Sequence, residues 1–204
     1  MLNTFCETFQ SLRLGNVMTE FMSQVVNAKL VTLNDIDVLQ LPYDDGSTNM
    51  IILLPKKGKS MTGVMTFLKN NEVGRLKNIT ETKVQVSLPK FKIEFTAQLK
   101  TQLMGLGIKD LFTRKADLRN ISNRQLHVSN AVHKAFIEVD EKGTEAAAAT
   151  GIVISTRSQK DHNKNFFKAD RPFMFMIYDS RNQIPLFTGK VSFLNPSRSC
   201  GQKF

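Results

Sequence analysis

The 204-residue sequence contains no tryptophan, only two tyrosines, and no apolar run long enough to span a membrane. No recognition helix or aromatic stacking platform accompanies its basic charge, so nucleic acid is disfavoured as a partner. The N-terminus as it stands lacks the basic start and apolar core of a secretory signal. Its composition, with 41% hydrophobic residues, is that of a globular protein with no membrane partner.

Cysteine and histidine are scarce. The only cysteines, Cys6 and Cys200, lie at opposite ends of the chain and form neither a disulfide framework nor a metal-type spacing, so we expect free thiols. The three histidines, His127, His133 and His162, are scattered, and zinc would need further ligands. We therefore expect no metal and no cofactor.

Enzyme signatures are also missing. The sequence has no GxSxG, HExxH or Walker motif, and Gly105-Leu106-Gly107 lacks the third glycine of a dinucleotide-binding loop. The chain is therefore not expected to be an enzyme.

Basic residues outnumber acidic ones, which gives the chain a net charge of +10 and a pI near 9.7. The basic residues are spread along the sequence, as in Lys56, Lys57, Lys59, Lys69, Arg75, Lys77, Lys83, Lys90 and Lys92. Such a distribution is typical of a solvated surface, and it is also compatible with an acidic partner.

Hydrophobic patterning predicts a mixed chain with mostly antiparallel strands. Two buried strands flank a polar turn, and a helix with a methionine stripe follows them. The predicted strands are 38–43, 50–55, 83–96, 125–139, 172–178 and 184–194, and the predicted helices are 60–70 and 99–106.

The stretch Glu141–Gly151 carries small side chains, including four consecutive alanines, Ala146–Ala149. Alanine favours a helix, but a helix this short is marginal in water. As a strand, the stretch would place Thr144 and Thr150 on one face with two alanines between them. It is therefore compatible with a short helix, a linker, or a strand that can insert into a sheet.

This stretch resembles the reactive loop of the serpins, the serine protease inhibitors that insert a cleaved loop into their own central sheet. Other segments resemble the same family in the family's order: 86–94, 106–112, 116–118, 128–136, 167–175 and 185–191. The resemblance runs from about residue 20 to residue 196.

The resemblance implies a long exposed reactive loop over residues 141–165, with Arg157–Ser158 as the reactive bond. Arg157 follows Gly143 by 14 positions (157 − 143), and residues 152–158 resemble the loop of antithrombin-like serpins. An arginine there implies a trypsin-like serine protease, whose acidic specificity pocket would pair with the guanidinium. The hinge would comprise Glu141, Gly143, Thr144, Glu145, Ala146, Ala147, Ala148, Ala149 and Thr150.

The resemblance also implies residues that control sheet opening. Lys90 would pair with Glu141 across the top of the central sheet, and His133 would belong to a hydrogen-bond cluster behind it. Pro172 and Phe173 would anchor the distal end of the loop.

Two glycosylation sequons, at Asn78 and Asn120, are meaningful if the chain is secreted. By resemblance the location would be extracellular. Some serpins bind sulfated glycosaminoglycans through basic helices, so the predicted helix around residues 69–77 would offer a site for heparin.

The implied fold is α+β and serpin-like but incomplete, a C-terminal half with mostly antiparallel sheets and a few helices. Residues 1–15 do not match the family, and residues 16–204 would form a partial serpin domain. Three hypotheses follow. The chain is an inhibitor that traps a trypsin-like protease, a truncated non-inhibitory fragment cleaved as a substrate, or a module that binds an acidic partner.

Overall fold

The computed structural model describes residues 2–70, 72–141 and 165–200. Their strands are β1 (Asn3–Ser11), β2 (Gly15–Thr32), β3 (Ile36–Pro42), β4 (Thr48–Pro55), β5 (Thr82–Pro89), β6 (Phe91–Gln98), β7 (Val132–Val139), β8 (Asn165–Lys168), β9 (Phe173–Asp179) and β10 (Ile184–Val191). The helices are α1 (Thr62–Lys69) and α2 (Lys100–Gly105), with short 3-10 turns at Glu72–Asn78, Asp110–Phe112 and Arg198–Cys200.

The chain divides into two compact units. The first comprises Met1–Phe91 and Val139–Phe204, and the second comprises Lys92–Glu138. In the described part of the chain, no helix is both long and apolar enough to cross a membrane.

The first unit contains eight strands in the order β10-β9-β4-β3-β2-β5-β8, with β1 paired to β2. The 18-residue strand β2 joins its parts, because residues 15–23 pair with β1, residues 21–28 with β5 and residues 29–32 with β3. All pairs are antiparallel except β5 with β8, which are parallel. Strand β1 pairs with β2 along its whole length, so residues 3–11 belong to the same sheet as the rest of the first unit.

One core cluster of the first unit lies between strands β3, β4 and β9 and the helical segment that follows β4. Its buried members are Ile36, Val38, Ile51, Leu53, Val64, Phe67, Val73, Leu76, Met176 and Tyr178. Helix α1 contributes Val64 and Phe67, which are three residues apart and so share a face. The expected methionine stripe is only partly correct, because Met61 packs against this core whereas Met65 is exposed.

The second unit holds most of a two-stranded sheet formed by β6 and β7, together with α2. The expected strand over 83–96 is in fact two strands, β5 and β6, separated at Lys90. The expected strand over 125–139 begins only at Val132.

Candidate functional site

Glu141 is the last described residue before segment 142–164, and its carboxylate is held from two sides. Oε1 of Glu141 lies 2.6 Å from Nζ of Lys90 and accepts a hydrogen bond of 2.6 Å from the Thr4 hydroxyl. Lys90 directly follows β5, and Thr4 lies on β1. The expected pairing of Lys90 with Glu141 is therefore present in the structure.

Lys90 also binds a second carboxylate that the sequence did not indicate. Its Nζ lies 2.8 Å from Oε2 of Glu20, and its backbone N–H donates to the Glu20 carbonyl over 2.9 Å. We call Thr4, Glu20, Lys90 and Glu141 the Lys90 cluster. The side chains of Lys90, Glu20 and Glu141 are 28%, 26% and 35% exposed, so water screens these charges only in part.

The Lys90 cluster shifts the pKa values of its members. The hydrogen bond from Lys90, followed by that from Thr4, lowers the pKa of Glu141 to about 2. Lys90, followed by the Ser199 hydroxyl, lowers the pKa of Glu20. Glu141 and then Glu20 raise the pKa of Lys90. All three groups are therefore charged at neutral pH.

The far end of segment 142–164 is fixed to the same strand, β5. Residues 165–168 of β8 pair in parallel with residues 84–87 of β5, and Ala169 donates its N–H to the Ser87 carbonyl over 3.0 Å. The Lys168 ammonium lies 2.7 Å from the Glu7 carboxylate of β1. Both flanks of the segment are thus attached to one part of the first unit. Glu141 contacts Lys90, the residue that follows β5, and β8 pairs with β5 itself.

The residues after β8 continue this anchorage. Arg171 donates from Nε to the Pro55 carbonyl over 2.6 Å and pairs with Asp170 at 2.7 Å. Phe173 is fully buried, and its ring meets that of Phe91 edge-on with centroids 5.8 Å apart. Phe173 thus has the packing of an anchor, and Pro172 precedes it partly buried.

The expected hinge beyond Glu141 and the reactive bond Arg157–Ser158 lie outside the described residues. His133 lies on β7 with an exposed side chain, which makes no hydrogen bond within the described ranges, so its role in sheet opening stays a prediction. Asn78 and Asn120 are both exposed, as glycosylation would require.

The expectation of two free thiols is wrong, because Cys6 and Cys200 form a disulfide between residues 194 positions apart. Their Cα atoms lie 5.6 Å apart. Sequence spacing gives no signal for such a distant pair. A disulfide that closes a long stretch of chain typically stabilises a fold by about 2–4 kcal/mol, mainly by restricting the unfolded state.

The described residues contain no cluster of three or more histidine, cysteine, aspartate or glutamate side chains able to hold a metal. The arrangement around Lys90 is therefore one of ion pairs and hydrogen bonds. Chemically, it can hold or release the chain at Glu141, next to segment 142–164.

Comparison with known proteins identifies the family. Residues 2–194 match the family model described as "Serpin (serine protease inhibitor)", so this chain belongs to the serpin family. The match includes residues 2–15, where the sequence shows no evident resemblance to the family. Members of the family are mostly protease inhibitors rather than enzymes, and some are non-inhibitory.

Two relatives and one solved structure illustrate the similarity. The chain is 38% identical over 192 residues to an uncharacterized serpin-like protein of Thermococcus kodakarensis, covering 93% of this chain and 44% of the relative. It is 38% identical over 156 residues to Intracellular coagulation inhibitor 2 of Tachypleus tridentatus, covering 76% and 38%. The native structure of tengpin, a thermophilic serpin, superposes with a TM-score of 0.71 at 32% identity, covering 94% and 50%.

The chain thus spans about half the length of the relatives it matches, or less. The relatives include a protein named as intracellular and an archaeal protein. The expected extracellular location therefore finds no support in the comparisons.

Proposed function

We propose that this chain acts as an inhibitor of a trypsin-like serine protease that cleaves it after Arg157. The proposal rests on family membership and on one structural observation: both flanks of segment 142–164 are attached to β5 and Lys90. A bait attached at both flanks offers a peptide bond to a protease while its ends remain on the body of the inhibitor. The Arg157 guanidinium would form a charge-assisted pair with an acidic specificity pocket.

In the proposed reaction, the protease serine attacks the Arg157 carbonyl and forms an acyl-enzyme, and Ser158 leaves with the new amino terminus. Hinge residues Gly143–Thr150 would then insert into the central sheet and carry the acylated protease along. The Lys90 cluster would oppose this movement until cleavage, because Glu141 is the first residue of the proposed hinge.

The test is incubation of the purified chain with trypsin, followed by denaturing electrophoresis and intact mass measurement. A complex that survives boiling is expected for an inhibitor, and after reduction of the Cys6–Cys200 disulfide its mass should equal trypsin plus residues 1–157 minus one water. The Arg157→Ala variant should lose this complex, whereas Lys160→Ala, which removes a neighbouring cleavage site, should retain it. A complex that persists in Arg157→Ala would contradict Arg157 as the reactive residue.

A second candidate function is that of a substrate without trapping. It is favoured by the sheet of β6 and β7, which has only two strands within the described residues. Insertion needs a strand on each side of the inserted segment, and trapping would fail where one of the two is missing. Rapid cleavage after Arg157 without any covalent complex would support this alternative.

Heparin is a proposed further partner. Lys69, Lys77 and Lys83 are exposed and, in the parts of the chain that the structure describes, form no ion pair. By contrast, Lys59 pairs with Asp35 at 2.9 Å. Retention on heparin that falls steeply with salt, and that weakens when the three free lysines become alanine, would support this partner.

A further inference from the structure

The C-terminal residues Ser197–Cys200 lie against the Lys90 cluster. Cys200 is bonded to Cys6 on β1, and the direct cross-strand partner of Cys6 on β2 is Glu20. Ser197 donates its N–H to the Met18 carbonyl over 3.0 Å. The disulfide therefore fastens this terminal segment beside a member of the cluster.

Two serine hydroxyls of the segment bind Glu20. Ser197 donates to Oε1 of Glu20 over 3.2 Å, and Ser199 donates to the same oxygen. Oε2, the other oxygen, faces Lys90. The serines thus satisfy the side of Glu20 that Lys90 does not reach, and they fix the orientation of its carboxylate.

Lys90 must divide one positive charge between two carboxylates. Hydrogen bonds to the remaining oxygens, from Thr4 to Glu141 and from the serines to Glu20, disperse the excess negative charge. A Glu20 without its serine donors would compete more strongly for the Lys90 ammonium. Less of that interaction would then remain for Glu141.

We propose that the Cys6–Cys200 disulfide controls the hold on Glu141: while it is intact, Ser197 and Ser199 satisfy Glu20, and its reduction frees the segment and weakens the contact between Lys90 and Glu141. Glu20 is accordingly a positioning residue that acts through Lys90. In the reduction, a dithiol donates two electrons and two protons, so that its own thiols form a disulfide and Cys6 and Cys200 become thiols.

The experiment is amide hydrogen exchange of the whole chain, read by mass spectrometry on peptides covering residues 139–141, with and without a dithiol. Exchange at these residues should rise about threefold on reduction, because a partly exposed ion pair contributes little stability. The Ser197→Ala/Ser199→Ala variant, with its disulfide intact, should show the same rise. The Glu20→Gln variant has no carboxylate to compete with Glu141 for Lys90. In this variant, reduction should change the exchange at residues 139–141 less than about twofold.

A matched control separates this coupling from general loss of stability. Asn49 on β4 is buried and bonded to Gln40 and Ser180, so Asn49→Ala weakens the first unit elsewhere. Its response to the dithiol at residues 139–141 should equal that of the wild type. Unchanged exchange at these residues on reduction would overturn the proposal, and so would an equal rise in Glu20→Gln.

The inference rests on the proposed function only in taking Glu141 as the start of the hinge. The exchange measurement contains no protease, so its outcome does not depend on whether the chain traps trypsin. A failed trypsin assay with a positive exchange result would remove the inhibitor function and leave the disulfide control in place.

Discussion

At the scale of single residues, the Lys90 cluster is an arrangement of one cation between two carboxylates. The ion pairs are 2.8 Å and 2.6 Å long, and the hydroxyls of Thr4 and Ser197 supply further donors. Partly exposed ion pairs contribute little stability individually, typically below about 1 kcal/mol. The importance of this cluster therefore lies in where it holds the chain, at Glu141.

The lowered pKa of Glu141 predicts an acid-dependent loss of this contact. The pKa of this carboxyl is 4.5 in the unfolded chain, and the hydrogen bonds from Lys90 and Thr4 lower the pKa to about 2 in the folded protein. Its contribution to stability is therefore complete above pH 4.5 and is lost as the pH falls toward about 2. In Glu141→Gln, the free energy of unfolding should lose this part of its acid dependence, by less than about 1 kcal/mol given the exposure of the pair.

Urea unfolding at a series of acidic pH values, followed by circular dichroism, measures this difference. The control is Glu94→Gln, because Glu94 pairs with Lys92 at 3.4 Å and is 70% exposed. A wild-type and Glu141→Gln difference that stays constant between pH 4.5 and about 2 would contradict the assigned contact.

At the scale of elements, hydrophobic patterning predicted the strands and the helix whose contacts are mostly with neighbours in sequence. The hairpin of β3 and β4 and the helix α1 were expected at nearly their observed positions, since their apolar residues face a core built largely from these same elements. The break between β5 and β6 was not expected, because it reflects a change of partner: β5 pairs with β2 and β8, whereas β6 pairs with β7.

Distant contacts account for the rest of what the sequence could not predict. The pairing of Lys90 with Glu141 was accessible through family resemblance. The place of Glu20 in the cluster could not be predicted, because its hydroxyl donors Ser197 and Ser199 lie 177 and 179 positions away in the sequence. The disulfide of Cys6 and Cys200 was missed for the same reason.

The pairing of β9 with β10 depends on a glycine, Gly189, at a position with no room for a side chain. Gly189 lies directly opposite Phe175, and a Cβ added to Gly189 would come within 2.3 Å of the buried Phe175 ring. The ring also packs on Phe91 with centroids 5.5 Å apart, which limits its retreat. We expect Gly189→Ala to destabilise the protein by about 1–3 kcal/mol through overpacking.

Chemical denaturation of Gly189→Ala against the wild type measures this cost. Gly74→Ala is the matched control, because nothing lies within 4 Å of the Cβ it would add. The control should be neutral or slightly stabilising. Equal effects of the two substitutions would show that the close contact with Phe175 does not determine the cost.

At the scale of the whole molecule, the two units differ in how much apolar surface they bury. Nearly all the buried hydrophobic side chains of the described residues belong to the first unit, and Phe112 is the one in Lys92–Glu138. The second unit instead exposes large apolar side chains, including Phe95, Leu106, Ile108, Ile121, Leu126, Val132 and Phe136. Burial is the main stabilising contribution in folding, so the second unit has the weaker core.

This difference predicts unequal local stability. Amide hydrogens of β6 and β7 should exchange at least about tenfold faster than those of β4, because local opening is easiest where few apolar contacts must be broken. Hydrogen exchange of the unmodified chain at neutral pH measures both sets of strands in one experiment. Strand β4, buried from Asn49 to Pro55, is the internal reference. Equal protection of β4 and β7 would contradict this difference in local stability, as it would if the two units opened together.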